Sequence, residues 1–351
     1  MALENRVKEK IAIEVIKVLI SRFDSFPEDA SNIRNAPFHD AFLNAFADKL
    51  DGKVPDTPFF ISLASWLHGL NTTLGQTFFE NVAQILSDGE KREYTSKKLG
   101  NLTITKNHRE KISEIAADLS TSTELPDLER ENKLLLQNYD GENIKAVDFS
   151  ADVFFEDEDQ VIAIEIKSVK PNSGEMKGEK QKILEGKAAL QKKFPKKEIY
   201  FYIGFPFDPT VDPAEEKVTG YNKERFLRSI INMSKFFDPE ETLVASELWD
   251  FLSGQKNTME QILEIINNIA TPDFLEKFRY LKSGENRYNQ DYIPLLDKWF
   301  LSSEKELVQN DGKIKDKIEN DKRLTRIYNK QPFDAKGSYM FERYIELKEL
   351  V

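Results

Sequence analysis

Asp152, Glu165 and Lys167 are the residues of this 351-residue chain whose types and spacing suit chemistry. An Asp, twelve intervening residues and then Glu-Ile-Lys stand within NIKAVDFSADVFFEDEDQVIAIEIKSVK, from Asn143 to Lys170. Magnesium is a hard cation that takes oxygen ligands and keeps several waters, so one or two carboxylates suffice to hold it. Asp152 and Glu165 supply two. A metal held there would polarise a scissile phosphate and lower the pKa of a water. Lys167 adds a compact positive charge, suited to orienting that water and stabilising charge that grows on the phosphate. The expected chemistry is metal-dependent phosphodiester cleavage. The same three residues also fit a half-exposed strand that carries an ordinary Glu/Lys pair.

Two β-like runs must position these side chains. Val161 to Val169 alternates with period two, placing Ile162, Ile164 and Ile166 on one side and Val161, Ala163, Glu165 and Lys167 on the other. Ile144 to Phe155, with Val147, Phe149, Val153, Phe154 and Phe155, reads as the preceding strand. Glu156 to Asp159 reads as the polar turn between them, so Asp152 can lie across the ladder from Glu165 and Lys167.

The stretch beyond the second strand is basic. From Lys167 to Lys197 there are ten lysines against three glutamates, a local net of +7 in a chain whose net charge is −11. Such a reversal is the footprint of a phosphate-backbone contact. Lys177, Lys180, Lys182 and Lys187 are the expected DNA contacts on a helix over Gly178 to Lys193 and its approach. Lys170 and Asn172, just past the catalytic strand, are the nearest candidates for reading bases or placing a phosphate.

These residues resemble the PD-(D/E)XK nuclease core, and most of the chain resembles a type II restriction endonuclease of the TdeIII type. SADVFF, IAIEIKSVKPN, the basic helix and the strand IYFYIGFPFDP carry the resemblance, with LGQTFFENVAQILSD upstream and SELWDFLSG downstream. Ala151 departs from the family pattern, which has Pro before the Asp. The resemblance implies a magnesium-dependent enzyme acting on double-stranded DNA at a short palindrome of the GGNCC kind. A palindrome is most simply read by a homodimer, whose two-fold axis mirrors the target. In nucleases of this fold the helix before the core often brings an acid to the metal. Glu80 matches that position as a further catalytic and metal-supporting residue, though a Glu on the exposed flank of an amphipathic helix reads the same way. Two other functions fit the motifs: a repair or recombination nuclease without a fixed site, and a DNA-binding protein on an inert nuclease scaffold.

Composition narrows the rest. The absence of cysteine excludes disulfides and Cys-ligated zinc and fits a reducing cytoplasm. The three histidines, His39, His68 and His108, are too scattered for a His-rich metal site. MALENRVKEK opens an amphipathic helix rather than a signal segment, and no long apolar run suggests a membrane span. The net acidity argues against a protein that coats nucleic acid, but a nuclease needs basic charge only along its cleft.

In chain order, apolar spacing predicts helices at Val7 to Phe23, Phe42 to Leu50 and Pro58 to Leu70. Thr72 and Thr73 are the expected cap of a long helix from Leu74 to Ser87, stopped by Asp88-Gly89. A short strand is expected at Leu102 to Thr105, and helices at Arg109 to Leu119 and Glu124 to Tyr139. Further helices follow at Tyr221 to Phe236, Met259 to Ile269 and Asp273 to Leu281, with a further helix or a strand-helix corner at Leu243 to Phe251. Basic clusters stand at Lys313 to Lys317 and Lys322 to Arg326. The expected fold is α/β: a restriction-endonuclease-like mixed sheet core flanked by helices, with N- and C-terminal helical elaborations. One domain is expected over residues 1–351, its catalytic core at about 74–206 and its elaborations at 1–70 and 221–351.

Overall fold

A computed structural model describes residues 2–27, 37–54, 57–92, 99–137, 139–147, 149, 151–167, 173–230 and 232–351. The chain forms two compact units, one of Phe79–Gln261 with the first three residues, the other of Glu4–Phe78 and Ile262–Val351. Among the described residues, no helix is long and apolar enough to cross a membrane.

The first unit is built on a five-stranded mixed sheet. Its strands are β1 (Glu90–Arg92), β4 (Ala151–Glu156), β5 (Gln160–Ile166), β6 (Glu198–Phe205) and β7 (Thr242–Val244), in the order β1-β4-β5-β6-β7. β4 runs antiparallel to β1 and β5, and β5, β6 and β7 are mutually parallel. β2 (Thr103–Thr105) and β3 (Asn143–Lys145) pair separately as a two-stranded sheet. The expected mixed sheet flanked by helices is the architecture observed.

The β4–β5 hairpin turns on one side chain. Asp157 Oδ1 accepts from the backbone N–H of Asp159 at 2.9 Å and of Gln160 at 2.8 Å, and Gln160 Nε2 donates to Asp157 Oδ2 at 2.8 Å. An Asp that bonds its own chain two and three residues on substitutes for a backbone turn. The acidic break between the strands is therefore what reverses the chain.

A parallel pair such as β5–β6 needs a crossover, and the helix Ser173–Lys193 provides it. A Cβ at Gly186 would stand 2.8 Å from Phe201 Cε1, so only glycine lets this helix sit so close to β6. Phe201 pairs in register with Ala163, so the helix covers the face that carries Glu165. The helix Ser246–Ser253 covers the opposite face, where a Cβ at Gly204 would lie 3.0 Å from Leu248 Cδ1. Both faces of β5 are consequently covered, and Val161 to Ile166 are all buried. The alternation that reads as a half-exposed strand belongs instead to a strand covered on two sides.

Three expectations are corrected here. The run Ile144 to Phe155 is not one strand: β3 leaves to pair with β2, and Val147 is 52% exposed. The cause is visible in the hydrogen bonds. Glu185, on the crossover helix, accepts from the backbone N–H of Val147 and from Arg109, both at 2.6 Å, and so takes a donor that a sheet would otherwise use. Thr72 and Thr73 cap nothing, because their hydroxyls donate to the carbonyls of His68 and Gly69 inside the helix Thr57–Thr73. Their backbones stay helical, and the chain passes through a π-helical turn at Leu74–Phe78 before the helix Phe79–Ser87. Asp88, at φ 51°, ends it as expected. Finally, Tyr221 to Phe236 divides into two helices, Lys223–Ser229 and Met233–Phe236, where Asn232 takes a left-handed conformation at φ 62°.

The second unit is helical among its described residues. Ile11, Ile13, Val15, Ile16, Val18 and Ile20 of the helix Asn5–Phe23 are buried, as their spacing predicts. Phe274 stacks on Phe23, Phe278 and Trp299 with ring centroids 5.5–6.0 Å apart. Glu9 is buried against the N-terminus of the helix Ser302–Gln309, where it accepts from the Ser303 N–H at 2.7 Å and hydroxyl at 2.6 Å. Burial pushes its carboxyl above the usual range, which the serine hydrogen bonds partly offset.

Candidate active site

The site forms where two paired strands part. The β4–β5 ladder runs from Glu156↔Val161 to Val153↔Ile164 and stops there, while β5 stays paired with β6 through Ile166. Asp152 and Glu165 are the next residues on each strand and stand in the fork. Asp152 Oδ2 accepts from the Ile166 N–H at 2.7 Å, so a side chain takes the place of the next ladder bond. Gln84, from the helix Phe79–Ser87, donates to the Asp152 carbonyl at 3.0 Å. Beyond the fork, the Lys167 N–H bonds to the Gly204 carbonyl at 2.8 Å and keeps the end of β5 attached to β6.

Asp152 and Glu165 are 7% and 8% exposed, a costly arrangement for two like charges. Burial, and then the neighbouring Asp152, push the Glu165 carboxyl above the usual range. The Lys167 ammonium lies 2.9 Å from Glu165 Oε1 and 3.2 Å from Glu179 Oε1. Burial disfavours that charge, but the two carboxylates outweigh it and hold Lys167 above the usual lysine range. Lys167 is thus a fixed cation at neutral pH, suited to electrostatic work and not to taking up a proton.

Glu165 Oε2 is buried and has no hydrogen-bond partner among the described residues. An orphaned carboxylate oxygen beside a second carboxylate is the environment a divalent cation satisfies, and the all-oxygen donor set suits magnesium. The residues present therefore fit the metal that the motif implies. Asp152 and Glu165 are the pair that would hold it. Among the described residues, no three His, Asp or Glu side chains converge at metal-holding spacing.

Residues 3–270 match the family described as type II restriction endonuclease, HinfI. The chain belongs to that family. The type II restriction enzyme MjaII of Methanocaldococcus jannaschii is 44% identical over 371 aligned positions, which span all of this chain and 98% of MjaII. The motifs resemble the TdeIII type, whereas the family matched is HinfI; the enzyme class is the same for both. This HinfI-family chain is a type II restriction endonuclease, acting on double-stranded DNA.

The other expected site residues divide sharply. Glu80 is half-buried in the first turn of Phe79–Ser87, one turn before Gln84 on the same helix face. Lys177 is exposed and Lys182 half-buried. Lys170 and Asn172 lie outside the described residues. Lys180 and Lys187 are corrections, since neither is placed to touch DNA. Lys180 is fully buried, pairs with Glu131 at 2.6 Å and with Glu241, and lies 5.3 Å from the centre of the Phe237 ring. Lys187, 2% exposed, reaches Asn132 Oδ1 at 3.3 Å and Glu241 Oε2 at 3.8 Å, and burial pushes its ammonium down. For Lys180 burial acts the same way, but Glu241 and Glu131 overcome it and raise its pKa.

Much of the +7 of this stretch is therefore answered by acids from elsewhere in the fold. Lys180→Ala should leave Glu131 and Glu241 buried together with only the more distant Lys187 beside them, lowering stability by about 3–5 kcal/mol. Urea unfolding monitored by circular dichroism measures it, and a change within 1 kcal/mol of zero would show that the pair is not a structural cross-link.

Sequence reasoning also missed a residue. Glu179 reads in the sequence only as an acid diluting a basic run, yet it is 8% exposed and bonded to Lys167. The one available signal is its spacing from Lys182, with which it forms an i,i+3 pair at 2.8 Å.

Proposed function

We propose that this endonuclease cuts double-stranded DNA at a short palindrome by magnesium-dependent hydrolysis, through a PD-(D/E)XK-type centre of Asp152, Glu165 and Lys167. The observation that carries the reading is the pair of buried carboxylates in the β4–β5 fork, with Glu165 Oε2 unbonded and Lys167 alongside. When bound, Mg2+ supplies the charge that polarises the scissile phosphate and lowers the pKa of the attacking water. Asp152 and Glu165 hold it. Lys167 orients the water and opposes the negative charge that develops on the phosphate. Glu80 supports the same centre from its helix.

The enzyme works as a homodimer on a target of the GGNCC kind, with Lys170 and Asn172 as candidates for reading bases or placing a phosphate. A chain without cysteine needs no oxidising compartment to fold, which fits work in the cytoplasm. Incubation with plasmid DNA of known sequence and Mg2+, followed by sequencing of the ends, tests the function. Discrete fragments that end at one two-fold-symmetric site are expected. A smear would make it a nuclease without a fixed site, and intact DNA would leave an inert scaffold.

Phosphate attraction falls to the exposed lysines. Each phosphate neutralised by a lysine contributes about −0.9 to the slope of log K against log salt. Lys177→Ala is expected to flatten that slope by roughly one contact, whereas Lys187→Met, at a buried position, leaves it unchanged. Fluorescence anisotropy over a salt series separates the two. Equal slopes for wild type and Lys177→Ala would place the DNA away from this helix.

A further inference from the structure

Four charged side chains close a ring at the site. Lys167 Nζ is 2.9 Å from Glu165 Oε1 and 3.2 Å from Glu179 Oε1. Lys182 Nζ is 2.8 Å from Glu179 Oε2 and 3.8 Å from Glu165 Oε1. Two members come from the end of β5 and two from the crossover helix Ser173–Lys193, so the ring ties that helix to the strand that carries the chemistry. Acids and bases alternate around it, and its formal charge is zero.

A second carboxylate buried around Lys167, besides Glu165, needs a reason. On burial alone Glu179 would be a liability, because like charges this close destabilise one another. Its use lies in the two roles that Glu165 must otherwise fill alone. Glu165 Oε1 receives the Lys167 ammonium, while Oε2 stands unbonded beside Asp152. Any cation drawn to Glu165 competes with Lys167 for the same carboxylate charge. A lysine side chain with four rotatable bonds then needs a second anchor to stay in place.

We propose that Glu179 is a positioning residue of the catalytic centre: its ion pair with Lys167 fixes the ammonium when Glu165 engages a metal, and its pair with Lys182 holds the Glu179 carboxylate itself in place. The inference rests on the assignment of Asp152, Glu165 and Lys167 as the centre. Glu179 touches neither metal nor DNA and acts through Lys167. Its contribution therefore vanishes when Lys167 is absent, which a purely structural acid would not do.

A double-mutant cycle tests this on the full-length protein, read by single-turnover cleavage of saturated enzyme–DNA complex with Mg2+. Glu179→Gln keeps the shape and removes the charge. It is expected to lower the cleavage rate constant on the order of tenfold, the scale typical for groups that orient catalytic partners, with a smaller change in DNA affinity. In a Lys167→Ala background, Glu179→Gln is expected to cost less than about twofold. Thermal unfolding of each variant confirms that the folded protein is being compared. If Gln at 179 does not fold, Glu179→Asp runs the same cycle. The same loss in both backgrounds, or no loss in the wild-type background, overturns the proposal while leaving the centre intact. A Lys167→Ala enzyme that cuts at the wild-type rate would instead overturn the assignment of the centre itself.

Discussion

Alanine at Asp152 or at Glu165 is expected to abolish cleavage and leave DNA binding largely in place. On the proposed reading each carboxylate is one of the two that would hold the metal, and neither is needed to grip the phosphate backbone. A loss of at least about 1000-fold in the single-turnover rate is expected, since metal polarisation of the phosphate and activation of water disappear together. The fold complicates alanine at 152, because Asp152 Oδ2 also accepts the Ile166 N–H at the point where the strands part. Asp152→Asn resolves the difficulty: an amide oxygen can accept the same bond while the charge is gone. Asp152→Asn should therefore remain folded and stay inactive. The assay pairs gel-shift binding in Ca2+ with cleavage in Mg2+. A folded Asp152→Asn or Glu165→Ala enzyme that turns over normally would move the active site away from this hairpin.

The second large effect belongs to Lys167. Its ammonium sits between two carboxylates that favour its charged form, and the proposed role is to oppose charge that appears only in the transition state. An interaction of that kind lowers the rate constant when removed and leaves affinity nearly untouched. Lys167→Ala is expected to slow single-turnover cleavage by about 100- to 1000-fold. Lys167→Arg should restore only part of this, because a planar guanidinium carries its charge in a different place from a compact ammonium. Were Lys167 merely one more member of a basic run, the alanine variant would bind DNA somewhat more weakly and cut at full rate once saturated. Rate constants at saturating enzyme decide between these, because binding drops out of that measurement.

What the sequence reveals and conceals follows from distance along the chain. Asp152, Glu165 and Lys167 share one hairpin, so a turn at Asp157 and a period of two were enough to bring them together. The charge of the crossover helix was misleading because a window counts only its own members. Lys180 is answered by Glu241, 61 positions away, and by Glu131 from a third element. Nothing local distinguishes it from exposed Lys177, three residues earlier. Glu185 likewise breaks the run Ile144 to Phe155 from 38 positions away, by accepting the Val147 N–H. The full burial of β5 was concealed for a related reason. Covering its second face took the helix Ser246–Ser253, which is remote in sequence.

The missing side chain at Gly186 reaches further than its own contact with Phe201. Positions 179 and 186 are seven apart and so fall on the same face of the helix, about two turns from one another. The distance of closest approach at Gly186 thereby sets how deeply Glu179 and Lys182 reach toward the end of β5. A single methyl group there would pry the helix from the sheet and, at the far end of the lever, draw two charges back from Glu165 and Lys167. The tolerance of the catalytic centre is in this sense machined at a position that carries no functional group.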